Sequence, residues 1–438
     1  MARQNYPEGV LVRHVEAPDL AVAETRRLMV EVTSPLFEAA FVHDGVLVRA
    51  DILVPVGDSW RLIEVKSAGS VKDKHLIDCA IQLWVLEGAG IKVTEVCLAH
   101  VDGSFEYSGA DDYTGLITEE DVTDKVRGLL TDVPAWISEH QDILDRPEPL
   151  SLVGSKCDTC EFIKHCEQGM PEYPVSILPH GHKVARELQE AGIQDVRDIP
   201  AGRLKNERHL RVWQSTITKV PYISPMLRLA LDRMPYPRFY LDFETINLAI
   251  PRWAGTRPHQ HVPIQWSCHI ERTSGWLEHG EYLEIQGASP IRNFAGSLIR
   301  TLESAGAIIV YGDFEENILK QLIKSCPDLE RPLSDIIARL VDLLPMLREH
   351  YYHPDMKGSW SIKAVLPTVA PHLDYGNLED VKNGTMAQQA YLEIISPDTP
   401  ADVRFRKISN LLKYCERDTL AMVEVVRYFT GRDAPAEA

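Results

Sequence analysis

The sequence predicts an α/β protein: an N-terminal α/β half, a helical connector, and a C-terminal α/β half. Three observations lead there. At 438 residues the chain is long enough for two or three domains of ordinary size. Strand-like and helix-like segments alternate near both ends, the pattern of layered α/β structure. Between them lies a stretch that reads only as short helices, closed by Pro235 and Pro237. The expected divisions are therefore 1–175, 176–234 and 235–438.

Taken in order, residues 20–30 read as a short amphipathic helix. Residues 37–41, 46–55 and 60–66 read as consecutive strands, with Asp44-Gly45 and Gly57-Asp58 as tight turns. Residues 76–88 read as a helix ended by glycine, and 93–100 as another strand. Residues 118–143 are expected to be helical. Residues 176–232 contain the phrase ELQEAGIQDVRDIPAGRL, a helix, a Gly-Ile turn and a second short helix. That suits a helix-hairpin-helix-like connector or a plain helical linker. Strands follow at 239–243, 264–272 and 280–285, a helix at 290–305, a strand at 308–311, and a helix from about Glu315. The last helix is expected over about 403–428, broken or bent within. Antiparallel strands first, then helices alternating with strands, suit an RNase H-like layer. No repeat or low-complexity segment is visible.

Composition narrows the class. Hydrophobic residues make up 45% and charged residues 25%, ordinary for a soluble globular protein. No apolar run approaches the roughly 20 residues of a membrane span. The opening MARQNYPEGVLV lacks the apolar core of a secretory signal, so a cytoplasmic protein without membrane attachment is expected. Eight cysteines in a chain this long do not suggest a disulfide scaffold. Three of them, Cys157, Cys160 and Cys166, are clustered, which favours metal or cluster ligation. The net charge of −18 counts against bulk affinity for nucleic acid, yet a local basic groove can sit on an acidic protein.

The sharpest chemical signal is Tyr240-Leu241-Asp242-Phe243-Glu244-Thr245. Its two carboxylates are at i and i+2 of a strand and share one face. Like charges side by side are costly, and a hard divalent cation such as Mg²⁺ or Mn²⁺ is the usual remedy. Val310-Tyr311-Gly312-Asp313-Phe314-Glu315 offers a third carboxylate where a helix opens after a strand. Tyr414 and Asp418 stand at i and i+4 on one face of the last helix, where a tyrosine can orient water beside a metal held by the aspartate.

A D-x-E strand, an acidic residue at a helix start, and Y-x-x-x-D resemble the DEDD exonuclease superfamily in its tyrosine variant, over roughly 236–430. The resemblance implies an RNase H-like domain with 3′→5′ exonuclease activity. It implies two metal ions bridged by Asp242, with Glu244, Glu315 and Asp418 completing the ligands and Tyr414 positioning the nucleophile. The family's second motif usually reads N-x-x-F-D. Here it is Gly312-Asp313-Phe314-Glu315, so Glu315 is the preferred third ligand and Asp313 its rival. Asp342 is read as a supporting residue behind the ligands, or as a helix-cap or surface aspartate. The phrases YLDFETIN, VPIQWSCH, GSWSIKAVLP and YCERDTLAMV are similar to a narrower bacterial family, catalogued by a domain of unknown function (number 2779). Its members pair a DEDD-like half with a RecB-like half. Gln265 and His269 read as structural or substrate-facing.

In the N-terminal half, Asp51 lies thirteen residues before Glu64-Val65-Lys66, with Glu64 and Lys66 on one strand face. Carboxylates there can bind a metal, while the lysine orients or deprotonates water or stabilises developing charge. This resembles the PD-(D/E)XK restriction-endonuclease-like core. Gln82 matches the glutamine of RecB-like members, whereas Leu86 stands where a tyrosine often sits.

In nucleases of this type three cysteines following the core, with a fourth before it, hold a [4Fe–4S] cluster. The resemblance thus implies such a cluster on Cys157, Cys160 and Cys166, with Zn²⁺ aided by His165, or unligated thiols, as rivals. The start Met1-Ala2-Arg3 resembles a point inside the family's usual sequence, which implies a missing preceding segment carrying the fourth cysteine. Cys79 or Cys97 would replace it only if the fold brings them close. The expected activity is a metal-dependent nuclease on single-stranded DNA or DNA ends, with a helicase or a repair or defence protein as partner. The alternatives are a nucleic-acid-binding scaffold with decayed sites and an RNA-processing exonuclease.

Overall fold

The computed structural model describes residues 1–13, 16–147, 160–373 and 384–431. The chain divides into two compact units, Met1–Pro149 with Asn247–Gln260, and Leu150–Ile246 with His261–Ala438. Both are mixed α/β.

The first unit is built on a six-stranded sheet whose spatial order follows the chain: β1 (Val10–Leu11), β2 (Leu36–His43), β3 (Val46–Val56), β4 (Ser59–Lys66), β5 (Val93–Val101) and β6 (Ile117–Asp121). β2, β3 and β4 form an antiparallel meander, while β5 runs parallel to β4 after the helix Asp73–Gly88. The pair His43–Val46 leaves Asp44-Gly45 as a two-residue loop, with φ of 47° and 76°. Positive φ at both central positions matches the strand twist, so this register is set locally. In the next hairpin Ile52 pairs with Ile63, which brings Asp51 level with Glu64. The helix buries Cys79, Gln82, Leu83 and Leu86, the i, i+3, i+4, i+7 stripe of a core-facing surface. Gln82 is thereby aimed at the sheet.

Residues 118–143 are not helical throughout. β6 occupies their start, and the helices Thr123–Arg127 and Val133–Leu144 follow. β6 pairs with the edge of β5 from Cys97–Asp121 to Val101–Ile117, and this tertiary pairing overrides the helical preference of its glutamates.

The second unit begins with short helices, Ile163–Glu167, His182–Glu190, Glu207–Thr218 and Pro225–Asp232, with β7 (Tyr222–Ile223) between the last two. Gly192, at φ 79°, ends the helix His182–Glu190, and Ile193 N–H returns to Leu188 O. The expected second short helix is a 3-10 turn, Val196–Asp198. Its central sheet holds β8 (Arg238–Ile246), β9 (Val262–Glu271), β10 (Leu277–Leu283), β11 (Ala307–Val310) and β12 (Leu340–Asp342), in the order β10-β9-β8-β11-β12. The first three are antiparallel, and β11 and β12 run parallel to β8 and to each other. A short strand, β13 (Tyr351–Tyr352), pairs with β7.

The last helix, Ala401–Thr430, is continuous and not broken. It contains no glycine or proline, the residues that most often interrupt a helix. Its position on the sheet is fixed by a buried charge cluster. Arg427 Nε donates to Glu271 Oε1 at 3.2 Å, and Tyr240 OH donates to Glu271 Oε2 at 3.0 Å. Arg238, fully buried, donates to the carbonyls of Leu231 and Met234 and lies 3.9 Å from Glu271. Among the described residues, no helix is long and apolar enough to cross a membrane.

Candidate active sites

Strand periodicity places Tyr240, Asp242 and Glu244 of β8 on the sheet face that the last helix covers. Tyr240 is held there by Glu271, while Cys415 on the helix donates its thiol to Asp242 Oδ2 at 3.2 Å. One turn along the helix from Tyr414, Asp418 completes a set in which single carboxylate oxygens of Asp242, Glu244 and Asp418 all lie within 4.8 Å of one another. Burial, reinforced by Asp418, Glu315 and Glu244, pushes the Asp242 carboxyl well above its usual range. Glu244 is pushed up to about 8, by burial first and then by Asp418, against the pull of Lys363.

Glu315, on the helix Phe314–Ser325, stands outside that 4.8 Å group but close enough to raise Asp242 and Glu244. It is buried, receives backbone N–H groups of Phe243 and of its own residue, and is pushed up to about 8, chiefly by burial. Its Oε2 is buried with no hydrogen-bond partner. The sequence offered Asp313 as a rival. That side chain is exposed and touches the centre only by raising Glu315. Asp342 shows why Glu315 is where it is. Asp342 Oδ1 accepts the N–H of Leu344 at 2.9 Å, capping the helix Leu343–His350, and the N–H of Gly312 at 2.7 Å. Gly312 has φ 109°, a conformation that suits glycine. Asp342 is thus both a helix cap and the tether of the turn leading into Glu315.

Tyr414 is buried, and its hydroxyl accepts a hydrogen bond from Lys363 Nζ at 3.0 Å. Burial, then Asp418 and Glu244, raises its pKa far above the ordinary tyrosine value, so it acts as a hydroxyl and not a phenolate. Lys363 and Cys415 were not singled out from the sequence. Lys363 lies in GSWSIKAVLP with no local pattern to mark it, and its nearness to Tyr414 is purely tertiary. Gln265 is buried, donating to Leu411 O at 2.9 Å, and His269 is buried against Thr419.

The first unit gathers its own set. Asp51 Oδ2 accepts the N–H of Val65 at 2.8 Å, Gln82 Nε2 donates to Glu64 Oε2 at 2.6 Å, and Lys66 Nζ donates to Glu64 Oε1 at 2.5 Å. Burial and then Asp51 raise Glu64 to about 7, and burial also raises Asp51. Burial works against the Lys66 ammonium, but its bonds to Asp78 and Glu64 outweigh that and hold it charged. Two acidic neighbours were missed. Asp78, 2.5 Å from Lys66 Nζ, sits one helical turn before Gln82 and was recoverable from that i, i+4 spacing. Glu38, close enough to raise Asp51, adopts φ 59°, unusual for a non-glycine residue and invisible in sequence. Gln82 Oε1 is buried without a hydrogen-bond partner.

Cys160 and Cys166 are half-buried, before and within the helix Ile163–Glu167, where His165 is exposed. Cys157 lies outside the described residues. Cys79 and Cys97 are buried in the first unit, Cys97 accepting from Arg61 Nη2 at 3.1 Å.

Both sets suit divalent cations. Each concentrates carboxylates whose charged forms repel one another, and the second unit adds an orphaned buried oxygen on Glu315. Residues 239–361 match the family described as Domain of unknown function (DUF2779). The matched segment contains Asp242, Glu244, Asp313, Glu315 and Asp342, and ends before Lys363, Tyr414 and Asp418. Comparison with curated proteins and with solved structures gives no match.

Proposed function

We propose, from the match of residues 239–361 to the DUF2779 family and from the geometry above, that the chain is a metal-dependent nuclease. In this reading the C-terminal half is a DEDD-type, RNase H-like 3′→5′ exonuclease domain. The N-terminal half is a RecB-like PD-(D/E)XK nuclease domain, and residues 176–234 connect them. The observation that carries the reading is the convergence of Asp242, Glu244 and Asp418, from remote parts of the chain, to within 4.8 Å, with Glu315 beside them. The strand order supports the domain type: three antiparallel strands first, then two parallel strands reached through helices.

When bound, a pair of Mg²⁺ or Mn²⁺ ions would supply an activated water and charge stabilisation at the leaving 3′ oxygen. Asp242, Glu244 and Asp418, with Glu315 near them, are the residues that would hold such ions. Tyr414, kept protonated, orients the attacking water through its hydroxyl, and Lys363 fixes that hydroxyl from the other side. In the first unit, Asp51 and Glu64 would hold a cation, Gln82 holds Glu64, and Lys66 would support the attacking water or the phosphate charge. Cys157, Cys160 and Cys166 would supply three of the four ligands that a [4Fe–4S] cluster or a structural Zn²⁺ takes. The substrate class is single-stranded DNA or DNA ends. A helicase, or a repair or defence protein, is the kind of partner this reading would imply.

The test is digestion of end-labelled single-stranded DNA and, in parallel, RNA, with Mn²⁺. Asp242→Ala should reduce exonuclease activity on the order of 10³-fold, several kcal/mol of lost transition-state stabilisation, with its circular dichroism unchanged. Removal of the remaining activity by Asp51→Asn with Glu64→Gln would assign it to the first unit. Undiminished digestion by the triple variant would exclude both centres, and preference for RNA would replace DNA as substrate.

A further inference from the structure

On the same sheet face, toward its β10 edge, stands a second convergence of ligand-type side chains that the acidic centre does not use. His269 on β9 is paired directly with His279 on β10, and the two rings lie 4.6 Å apart at 39°. Glu416, on the last helix, brings a carboxylate to them. One ligand atom from each of the three lies within 4.8 Å of the others. His269 is buried, Glu416 half-buried and His279 exposed, so the group opens to solvent on one side.

The hydrogen bonds around the two imidazoles decide where their protons sit. Thr419 Oγ1 donates to the backbone oxygen of Glu416 at 2.9 Å. With that proton on the carbonyl, Thr419 Oγ1 accepts from His269 Nδ1 at 2.8 Å. His269 then carries its proton on Nδ1 and leaves Nε2 with a free lone pair. Ser267 Oγ lies 3.0 Å from Thr419 Oγ1 and must donate there, so it accepts from His279 Nε2 at 2.9 Å. That leaves the lone pair of His279 on Nδ1. Both rings are oriented and set in one tautomer by partners behind them, the arrangement that supports imidazole ligands. Burial, together with His279 and Arg427, pushes His269 down to about 3, so it stays neutral at physiological pH. The positive charge of Arg427 is itself engaged by Glu271 and Glu424.

We propose that His269, His279 and Glu416 form a binding site for a divalent transition-metal ion of the zinc class, distinct from the hard-cation centre. Two imidazole nitrogens with one carboxylate favour such an ion over Mg²⁺, which prefers oxygen throughout. With bonds of about 2.0–2.1 Å, tetrahedral ligands stand about 3.3 Å apart, so binding requires His279 and Glu416 to close in on the ion. Three protein ligands leave one position open to solvent. An ion here ties the edge hairpin β9–β10 to the helix that bears Tyr414 and Asp418.

The experiment is zinc binding to the full-length chain, dialysed against Zn²⁺ with Mg²⁺ in large excess and read as bound zinc per chain. His279→Ala replaces an exposed side chain, and Glu416→Gln keeps size and shape, so the two provide independent readings. Each should bind one equivalent fewer than the parent, or hold that equivalent at least about 100-fold more weakly, while Asp242→Asn retains it. Zinc held by the cysteines cancels in the difference. Equal stoichiometry and affinity in the parent and both variants would overturn the proposal. So would loss of the equivalent in Asp242→Asn alone, which would place the zinc in the acidic centre. The readout does not depend on nuclease activity, so this site and the nuclease reading stand or fall separately.

Discussion

Asp242 sits where three other carboxyl groups raise its pKa, and Lys363 opposes the same repulsion at Glu244. In the proposed centre a bound cation would relieve that repulsion. Tyr414 has the complementary character, a hydroxyl that stays protonated and is held by Lys363. Tyr414→Phe should therefore lower kcat about 10²-fold, in the range of a positioned proton-handling group, while Mn²⁺ affinity stays within a factor of a few. A parallel loss of Mn²⁺ binding would show that the residue holds the metal site together instead. At this scale much was legible. An i, i+2 pair on a strand and an i, i+4 pair on a helix share a face wherever those elements form, so Asp242 with Glu244 and Tyr414 with Asp418 could be paired without coordinates. Lys363, Cys415 and Glu38 could not, because tertiary contact alone brings them in.

The elements that deliver these residues are positioned by a few buried polar contacts. Asp342 caps one helix and tethers Gly312, and through that turn it sets the entry of Glu315. Asp342→Ala should cost about 1 kcal/mol of stability as a lost cap. It should also reduce activity by up to about 10²-fold by letting Glu315 shift. Thermal unfolding and single-turnover assays would separate the two effects, and unaltered activity would deny the tethering role. The sequence reading left Asp342 between a cap and a supporting residue, and the two roles turn out to share one oxygen. Periodicity foresaw most strands and helices because their apolar faces carry it. It failed at β6, whose strand state depends on the open edge of β5, and at the last helix, expected to be broken or bent, which runs unbroken in a segment without helix breakers. β12 and β13 are too short to show a period.

Across the second unit as a whole, the gathered carboxyls make stability depend on pH and on metal. Glu244 rises from an ordinary 4.5 to about 8 in the folded chain. The folded state therefore binds this proton more tightly than the unfolded state. Its contribution is fully present below about 4.5 and is lost as pH rises toward 8. Without divalent cations the melting temperature should fall between pH 5 and pH 8, Mg²⁺ should restore it at pH 8, and Asp418→Asn should shrink the fall. Scanning fluorimetry in EDTA and in Mg²⁺ reads this directly, and a flat profile in EDTA would contradict it. That the chain is mixed α/β could be read from alternating segments. The passage of residues 247–260 into the first compact unit could not, because no local pattern reports which distant surface a loop joins.

The central claim is that Asp242, Glu244, Glu315 and Asp418 hold hard cations, and diffraction from crystals soaked in Mn²⁺ tests it most directly. The account predicts two anomalous peaks about 3.5–4 Å apart, with Asp242 contacting both. Crystals soaked to saturation without manganese between these carboxylates would contradict it.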